Sequence, residues 1–129
     1  MLKCGIDIGG TNIKFGFFDG EKKVNSVVIK TPKVKEKVIP SIVCEIKKKY
    51  KLNDILGYTV AIPGVVLNDV VVFAPNTDIF GLNFKEELGL LLENDNIIVE
   101  NDANLQAMAE AKATGLDDLI LISIGTGLG

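Results

Sequence analysis

The stretch CGIDIGGTNIKFG, residues 4–16, joins an apolar, strand-like run to a turn of small residues. Asp7 interrupts the apolar run, and Gly9, Gly10 and Thr11 follow it almost at once. A buried carboxylate is costly unless it is paired, hydrogen-bonded or close to a cation. The position of Asp7 therefore predicts that the end of this strand belongs to a functional site.

The turn after this strand has the composition of a phosphate-binding loop. Glycines there let backbone N–H groups approach phosphate oxygens, because no β-carbon obstructs them, although an ordinary hairpin turn can have the same composition. It is not a P-loop, since Thr11 stands where that motif has its lysine. Asp7 favours the phosphate loop, with its carboxylate facing a hydrated Mg²⁺. Lys14 either reaches a phosphate from the second strand or simply alternates outward.

The overall composition describes a globular chain of about one domain. Its 129 residues are 47% hydrophobic, and its apolar runs are too short for a membrane-spanning helix. The absence of histidine and arginine from these residues excludes a histidine-based triad, a histidine metal site and an arginine finger built from them. The net charge of −3 argues against a nucleic-acid surface, and we expect a cytoplasmic protein without nucleic-acid or membrane partners. Cys4 and Cys44 lack CxxC spacing and are predicted to be buried, reduced thiols.

The predicted elements mix hairpin-connected strands with strands separated by helices. Short turns join the first three strands, so we expect an antiparallel meander. Later strands alternate with helices, which indicates crossover connections and an α/β fold with a mixed sheet, in the order βββ-α-β-α-β-α. The predicted strands cover residues 3–9, 13–18, 24–30, 58–62, 96–99 and 119–124, with a short strand or hairpin arm over 70–73. The predicted helices cover 40–51, a segment opened by Asn83, and Asp102 to about Thr114.

A second glycine turn follows the last predicted strand. Gly125, Thr126 and Gly127 repeat the strand-then-turn pattern of residues 4–16, which suggests a duplicated architecture. We therefore expect residues 1–116 to form one domain and residues 117–129 to form the first strand and phosphate loop of a second. Alternatively, this turn begins a dinucleotide-binding GxGxxG motif, whose third glycine would fall at position 130.

The segment ENDAN, residues 100–104, is the strongest catalytic candidate. Asn101 and Asp102 stand at a predicted strand-to-helix junction, where side chains can leave the core and meet a ligand. Asp102 can also cap the helix, and capping alone would explain an Asp at this position. A helix N-terminus lowers the pKa of an Asp, which makes it a weak base. Phosphoryl transfer nevertheless needs only a carboxylate that accepts the hydroxyl proton late in the reaction.

Taken together, these motifs resemble those of the ROK family of sugar kinases, in the same order along the chain. The resemblance implies an actin-like, ribonuclease-H-like ATPase fold. It also implies that ATP is the phosphoryl donor, that Mg²⁺ is required and that a glucose-like hexose is the acceptor. The matching segments are Asp7–Lys14, Pro63-Gly64, Ala74-Pro75-Asn76, Glu100–Asn104 and Ser123–Gly129.

The resemblance also implies roles for individual residues. Asp102 matches the catalytic base that takes the proton from the attacking sugar hydroxyl, and Asp7 lies near Mg²⁺, which it contacts through water. The residues expected at the nucleotide are Asp7, Gly9, Gly10, Thr11, Lys14, Gly125, Thr126 and Gly127. The residues expected at the sugar are Gly64, Asn76, Asn101 and Asp102.

Some family features are missing from this sequence, and two other functions remain open. The family's zinc motif and its later sugar-binding segments would follow Gly129, so no zinc is expected in this chain, any zinc would bind further along, and this chain is expected to be inactive alone. The stretch after Asn76 lacks the tryptophan often found near it. The alternatives are an N-acetylhexosamine kinase and a sugar-responsive transcriptional regulator of the same family without its DNA-binding domain. The intact protein is expected to be a homodimer.

Overall fold

The structure, a computed structural model, describes residues 1–112, with side chains described up to residue 108. It begins with the predicted antiparallel meander of three strands. Its strands are β1 (Leu2–Ile8), β2 (Asn12–Asp19) and β3 (Lys22–Lys30). The Gly9–Thr11 turn closes the first hairpin so tightly that Ile8 pairs with Ile13.

The second half of the sheet is parallel. Strand β4 (Ile55–Ile62) pairs with β1, and β7 (Ile97–Asn101) pairs with β4, which gives the strand order β3-β2-β1-β4-β7. The crossovers run through α1 (Val38–Lys49) and α2 (Phe84–Leu92), and α3 (Asp102–Lys112) follows β7 directly. The predicted mixed α/β sheet is confirmed. The strand predicted over 119–124 and the Gly125–Gly127 turn lie outside the described residues.

A separate hairpin interrupts the crossover between β4 and β7. It consists of β5 (Val65–Leu67) and β6 (Val70–Phe73), which pair antiparallel. Its turn residues Asn68 and Asp69 both have positive φ, the geometry of a type I′ turn. The sequence predicts β6 as a hairpin arm but not β5, because Pro63-Gly64 is interpreted only as the end of β4.

The main core lies on one face of the five-stranded sheet. Ile6, Phe15, Val60 and Val99 stand side by side on adjacent strands and are buried. Apolar residues of α1 and α2 pack against this face in one cluster. Leu105 of α3 is buried outside that cluster, so α3 covers a different part of the sheet.

Helix α1 differs from its prediction in two details. It begins at Val38, two residues before the predicted start, and Pro40 is tolerated because it lies in the first turn. Cys44 is exposed, so the prediction that both thiols are buried is wrong for Cys44. The buried face of the helix runs through Ile42 and Ile46, and Cys44 falls between them in sequence and points away from the sheet. Cys4 is buried, and burial raises the pKa of its thiol.

No helix within residues 1–112 has the length and apolar character needed to cross a membrane.

We expect Ile42→Ala to lower the free energy of unfolding by about 2–5 kcal/mol, because it removes a fully buried side chain and leaves a cavity. Cys44→Ala on the same helix is the matched control and should change it by less than about 0.5 kcal/mol. Urea titration monitored by circular dichroism measures both. Similar losses in the two variants would contradict the placement of α1 against the sheet.

Candidate functional site

One edge of the sheet collects the polar motifs of the sequence. Strands β1, β3, β4 and β7 all end there, because β4 and β7 run parallel to β1 and the meander returns β3 to the same direction. Gly9, Thr31, Gly64 and Asp102 each follow or closely follow one of these ends. Residues that are far apart in sequence therefore lie along the same edge of the sheet.

Charged side chains stand beside one another at this edge. Strand register places Lys14 directly opposite Asp7, with Ala61 and Glu100 continuing the row across β4 and β7. Burial raises the pKa of Asp7, the Lys14 ammonium lowers it, and the Asp102 carboxylate raises it again. Lys14 therefore faces the same side of the sheet as Asp7, and Asp102 is close enough to influence it.

The candidate phosphate loop, Gly9–Thr11, is held by hydrogen bonds to Asn12 and Thr31. We call the side of the loop that faces Thr31 its outer side. The Gly9 N–H donates to the Asn12 carbonyl at 2.9 Å, which closes the turn. The Thr31 hydroxyl donates to the Gly9 carbonyl at 2.7 Å, and the Thr31 N–H donates to the Thr11 carbonyl at 2.9 Å. Thr31 is not among the predicted site residues, because no sequence motif marks it.

The inner side of the same loop lies against the loop that carries Asn76. A β-carbon placed on Gly10 would stand 2.6 Å from the Asn76 carbonyl oxygen and 3.8 Å from Thr77 Cγ2. Such a distance to a backbone atom is sterically forbidden, so Gly10 is required by its neighbour as well as by its turn. The candidate phosphate loop and the candidate sugar loop are therefore in direct contact.

The Asn76 loop has its own anchors. The Gly81 N–H donates to the Val71 carbonyl at 2.8 Å, and Gly81 has a φ of 87°, which favours glycine. The Lys35 ammonium donates to the Phe80 carbonyl at 2.8 Å, which ties this loop to the segment before α1. The loop is therefore held in place while the Asn76 and Phe80 side chains remain exposed.

Asn101, rather than Asp102, caps α3. Its Oδ1 accepts from the Asn104 N–H at 3.0 Å, and its Nδ2 donates to the Gly64 carbonyl. Asp102, which the sequence offers as a possible cap, does not serve as one, because the helix begins one residue earlier than a capping Asp102 requires. Within residues 1–112 the one hydrogen bond that Asp102 accepts comes from the adjacent Ala103 N–H, at 2.8 Å, and its side chain is exposed. Asp102 is thus available for chemistry.

Gly64 is also required by close packing. A β-carbon there would collide with the Phe73 carbonyl of β6, so the hairpin can lie against the end of β4 only with glycine at this position. The Asn101 bond to Gly64 then links the hairpin to the start of α3.

Asp7 and Asp102 suit a cation that is held mainly by other ligands. Within residues 1–112 no group of three or more His, Cys, Asp or Glu side chains is arranged to hold a metal ion. The desolvated Asp7 carboxylate and the neighbouring Asp102 charge nevertheless fit a hydrated Mg²⁺, because a divalent cation would relieve the repulsion between them.

These features define a protein of the actin-like ATPase fold, with a glycine loop after the first strand and a carboxylate after the last strand described. The chain belongs to the ROK family, whose sequence profile matches residues 3–129. A glucokinase from Streptomyces coelicolor is 33% identical over 99% of this chain and 42% of the relative. A polyphosphate glucokinase from Mycobacterium tuberculosis is 30% identical over 97% of this chain and 50% of the relative.

Solved structures agree with this assignment. A ROK glucokinase from Streptomyces griseus, in complex with glucose and AMPPNP, matches with a TM-score of 0.73 and 28% identity, over 85% of this chain and 36% of that one. An inorganic polyphosphate/ATP-glucomannokinase from Arthrobacter sp. matches with a TM-score of 0.69 and 28% identity, over 85% and 47%. A ROK transcriptional regulator at 16% identity, with a TM-score of 0.76, shows the fold alone. The chain spans half or less of the length of these relatives.

We expect Asp7→Asn to stabilise the ligand-free chain at neutral pH. The raised pKa of Asp7 means that its charged form disfavours folding, so this penalty is absent below the ordinary pKa of 3.8 and develops as the pH rises through the shifted value. The gain in free energy of unfolding should therefore be larger at about pH 7 than at about pH 4. Urea titrations at both pH values measure it, with exposed Asp54→Asn as control. An equal gain at both pH values would contradict a burial penalty on Asp7.

Proposed function

We propose that this chain is the N-terminal part of an ATP-dependent kinase that phosphorylates a glucose-like hexose. The observation that carries the proposal is the contact between Gly10 and the Asn76 carbonyl, which puts a phosphate loop against a sugar loop. In this proposal residues 1–116 form the first ATPase domain, and residues 117–129 begin a second domain with the Gly125–Gly127 loop on the other side of the nucleotide.

Asp102 acts as the general base in this proposal. The sugar hydroxyl oxygen attacks the γ-phosphorus of ATP, its proton passes to the Asp102 carboxylate, and ADP leaves. The exposure of Asp102 and the capping of α3 by Asn101 support this role, because the carboxylate is not needed to end the helix. Asp7 would hold the water shell of Mg²⁺. When bound, Mg²⁺ neutralises charge on the transferred phosphoryl group.

The backbone of the first loop binds the phosphates, and the loops around it bind the sugar. Gly10 and Thr11 offer main-chain N–H donors, Gly9 closes the turn that presents them, and Lys14 offers a cation beside Asp7. Gly64, Asn76 and Asn101 surround the acceptor. Since both ends of the Asn101 amide are already bonded within the protein, its main contribution would be to shape the pocket.

Glucose is the preferred acceptor, and an N-acetylhexosamine is the alternative. Relatives named glucokinase and polyphosphate glucokinase are 33% and 30% identical to this chain. A relative named N-acetyl-D-glucosamine kinase, from Citrobacter koseri, is 28% identical over 97% of the chain. We propose that the intact protein works as a cytoplasmic homodimer.

We expect Asp102→Asn in the full-length protein to lower kcat by about 100-fold or more while changing the KM values for sugar and ATP little, because only the proton acceptor is lost. A coupled assay of ADP release with glucose measures it. Asp95→Asn, an exposed carboxylate on the loop before β7, is the control and should retain normal turnover. Near-normal kcat in Asp102→Asn would remove Asp102 from the mechanism.

A second phosphoryl donor, inorganic polyphosphate, is favoured by the distribution of charge. Twelve of the fourteen lysines lie in the first 51 residues. Lys30 ends β3, and Lys33, Lys35 and Lys37 lie in the segment after it, whose Thr31 is bonded to the phosphate loop. Closely spaced cations in this segment would complement a linear polyanion that extends beyond the transferred phosphate.

We expect the triple variant Lys30→Gln/Lys33→Gln/Lys37→Gln to raise the KM for long-chain polyphosphate about tenfold and to change the KM for ATP less than about twofold. Lys47→Gln/Lys48→Gln/Lys49→Gln removes the same charge at the end of α1, at the opposite edge of the sheet, and is the matched control. Steady-state assays with each donor decide the outcome. Equal losses in the two triple variants, or no turnover with polyphosphate, would reject this donor.

A further inference from the structure

We infer that Thr31 is a positioning residue that orients the phosphate loop of the proposed kinase. It lies immediately after β3, outside every motif identified in the sequence, yet it contacts the loop with both its hydroxyl and its backbone N–H. The inference rests on the proposed function and identifies what keeps the loop's free donors directed at phosphate.

The argument begins with the Gly9–Gly10 peptide. A trans peptide is planar, so its carbonyl and its N–H point in opposite directions. Because the Gly9 carbonyl accepts from the Thr31 hydroxyl at 2.7 Å, the Gly10 N–H must point away from Thr31. In the part of the chain that the structure describes, the Gly10 N–H and the Thr11 N–H have no hydrogen-bond partner, whereas the Gly9 N–H is bonded to Asn12.

Without the hydrogen bond from the Thr31 hydroxyl, the Gly9–Gly10 peptide could easily reverse its orientation. A peptide between two glycines can flip at small steric cost, because both residues tolerate positive φ. A flipped Gly9–Gly10 peptide would present a carbonyl oxygen, which repels a phosphate, in place of an N–H that binds it. The Thr31 hydroxyl therefore selects the binding orientation by holding the carbonyl on the outer side.

Thr31 is itself well fixed. Its N–H donates to the Thr11 carbonyl at 2.9 Å, and the preceding Lys30 pairs with Asn12 in the sheet. Pro32 follows and favours an extended backbone at Thr31. The branched side chain has few accessible rotamers, so the hydroxyl is directed before any ligand binds.

The test compares Thr31→Val and Thr31→Ser in the full-length protein. Valine keeps the shape and the backbone bond and removes only the hydroxyl, so we expect the KM for ATP to rise about fivefold to tenfold, the effect of one hydrogen bond. The KM for glucose should change less than about twofold, and Thr31→Ser should restore ATP binding to within about twofold of the original. Thr59→Val, at a buried threonine of β4, is the control and should leave both KM values unchanged.

A second measurement needs neither a variant nor turnover. In ¹⁵N-labelled protein titrated with pyrophosphate, we expect the amide resonances of Gly10 and Thr11 to shift downfield and that of Gly9 to remain in place. Loss of sugar phosphorylation with these shifts intact would reject the proposed kinase but not the role of Thr31. An unchanged KM for ATP in Thr31→Val, a matching rise in the KM for glucose, failure of Thr31→Ser to restore binding, or a shift at Gly9 in place of Gly10 would overturn the inference.

Discussion

The position of one carbonyl oxygen, that of Asn76, constrains much of the proposed site. It occupies the space where a side chain on Gly10 would lie, so the turn after β1 and the loop after β6 pack without a gap. The Asn76 loop is fixed in turn by Gly81, Val71 and Lys35. In the proposed kinase, contact between the loop at the phosphates and the loop at the sugar would hold two reactants in one geometry, which is the main requirement for transferring a phosphoryl group.

At the β7–α3 junction, the adjacent residues Asn101 and Asp102 have different contacts. Asn101 uses both ends of its amide to cap the helix and to hold Gly64. Asp102, one residue later, has an exposed carboxylate whose negative charge raises the pKa of Asp7. Because the Asn101 amide caps the helix, the Asp102 carboxylate is not needed to hold the helix start.

The sequence predicts the fold well because most of its signals are local. The meander follows from the alternation around two short turns, and the parallel half follows from strands separated by amphipathic helices. What it does not predict depends on contacts between distant residues. Thr31 and the β5 strand carry no motif. The sequence also leaves open which residue caps α3, because Asn101 and Asp102 are both good caps and the exact start of a helix is not visible in the sequence.

The bond between Asn101 and Gly64 bears on how substitutions in this family should be interpreted. Removal of the Asn101 amide would remove the bond that links the residue before the β5–β6 hairpin to the start of α3, so the proposed acceptor pocket would lose a support even if the amide never touches a sugar. A weakened affinity for sugar would then look like the loss of a direct ligand. Only a comparison of the ligand-free conformations of the original protein and the variant would distinguish a residue that shapes the pocket from a residue that binds the sugar directly.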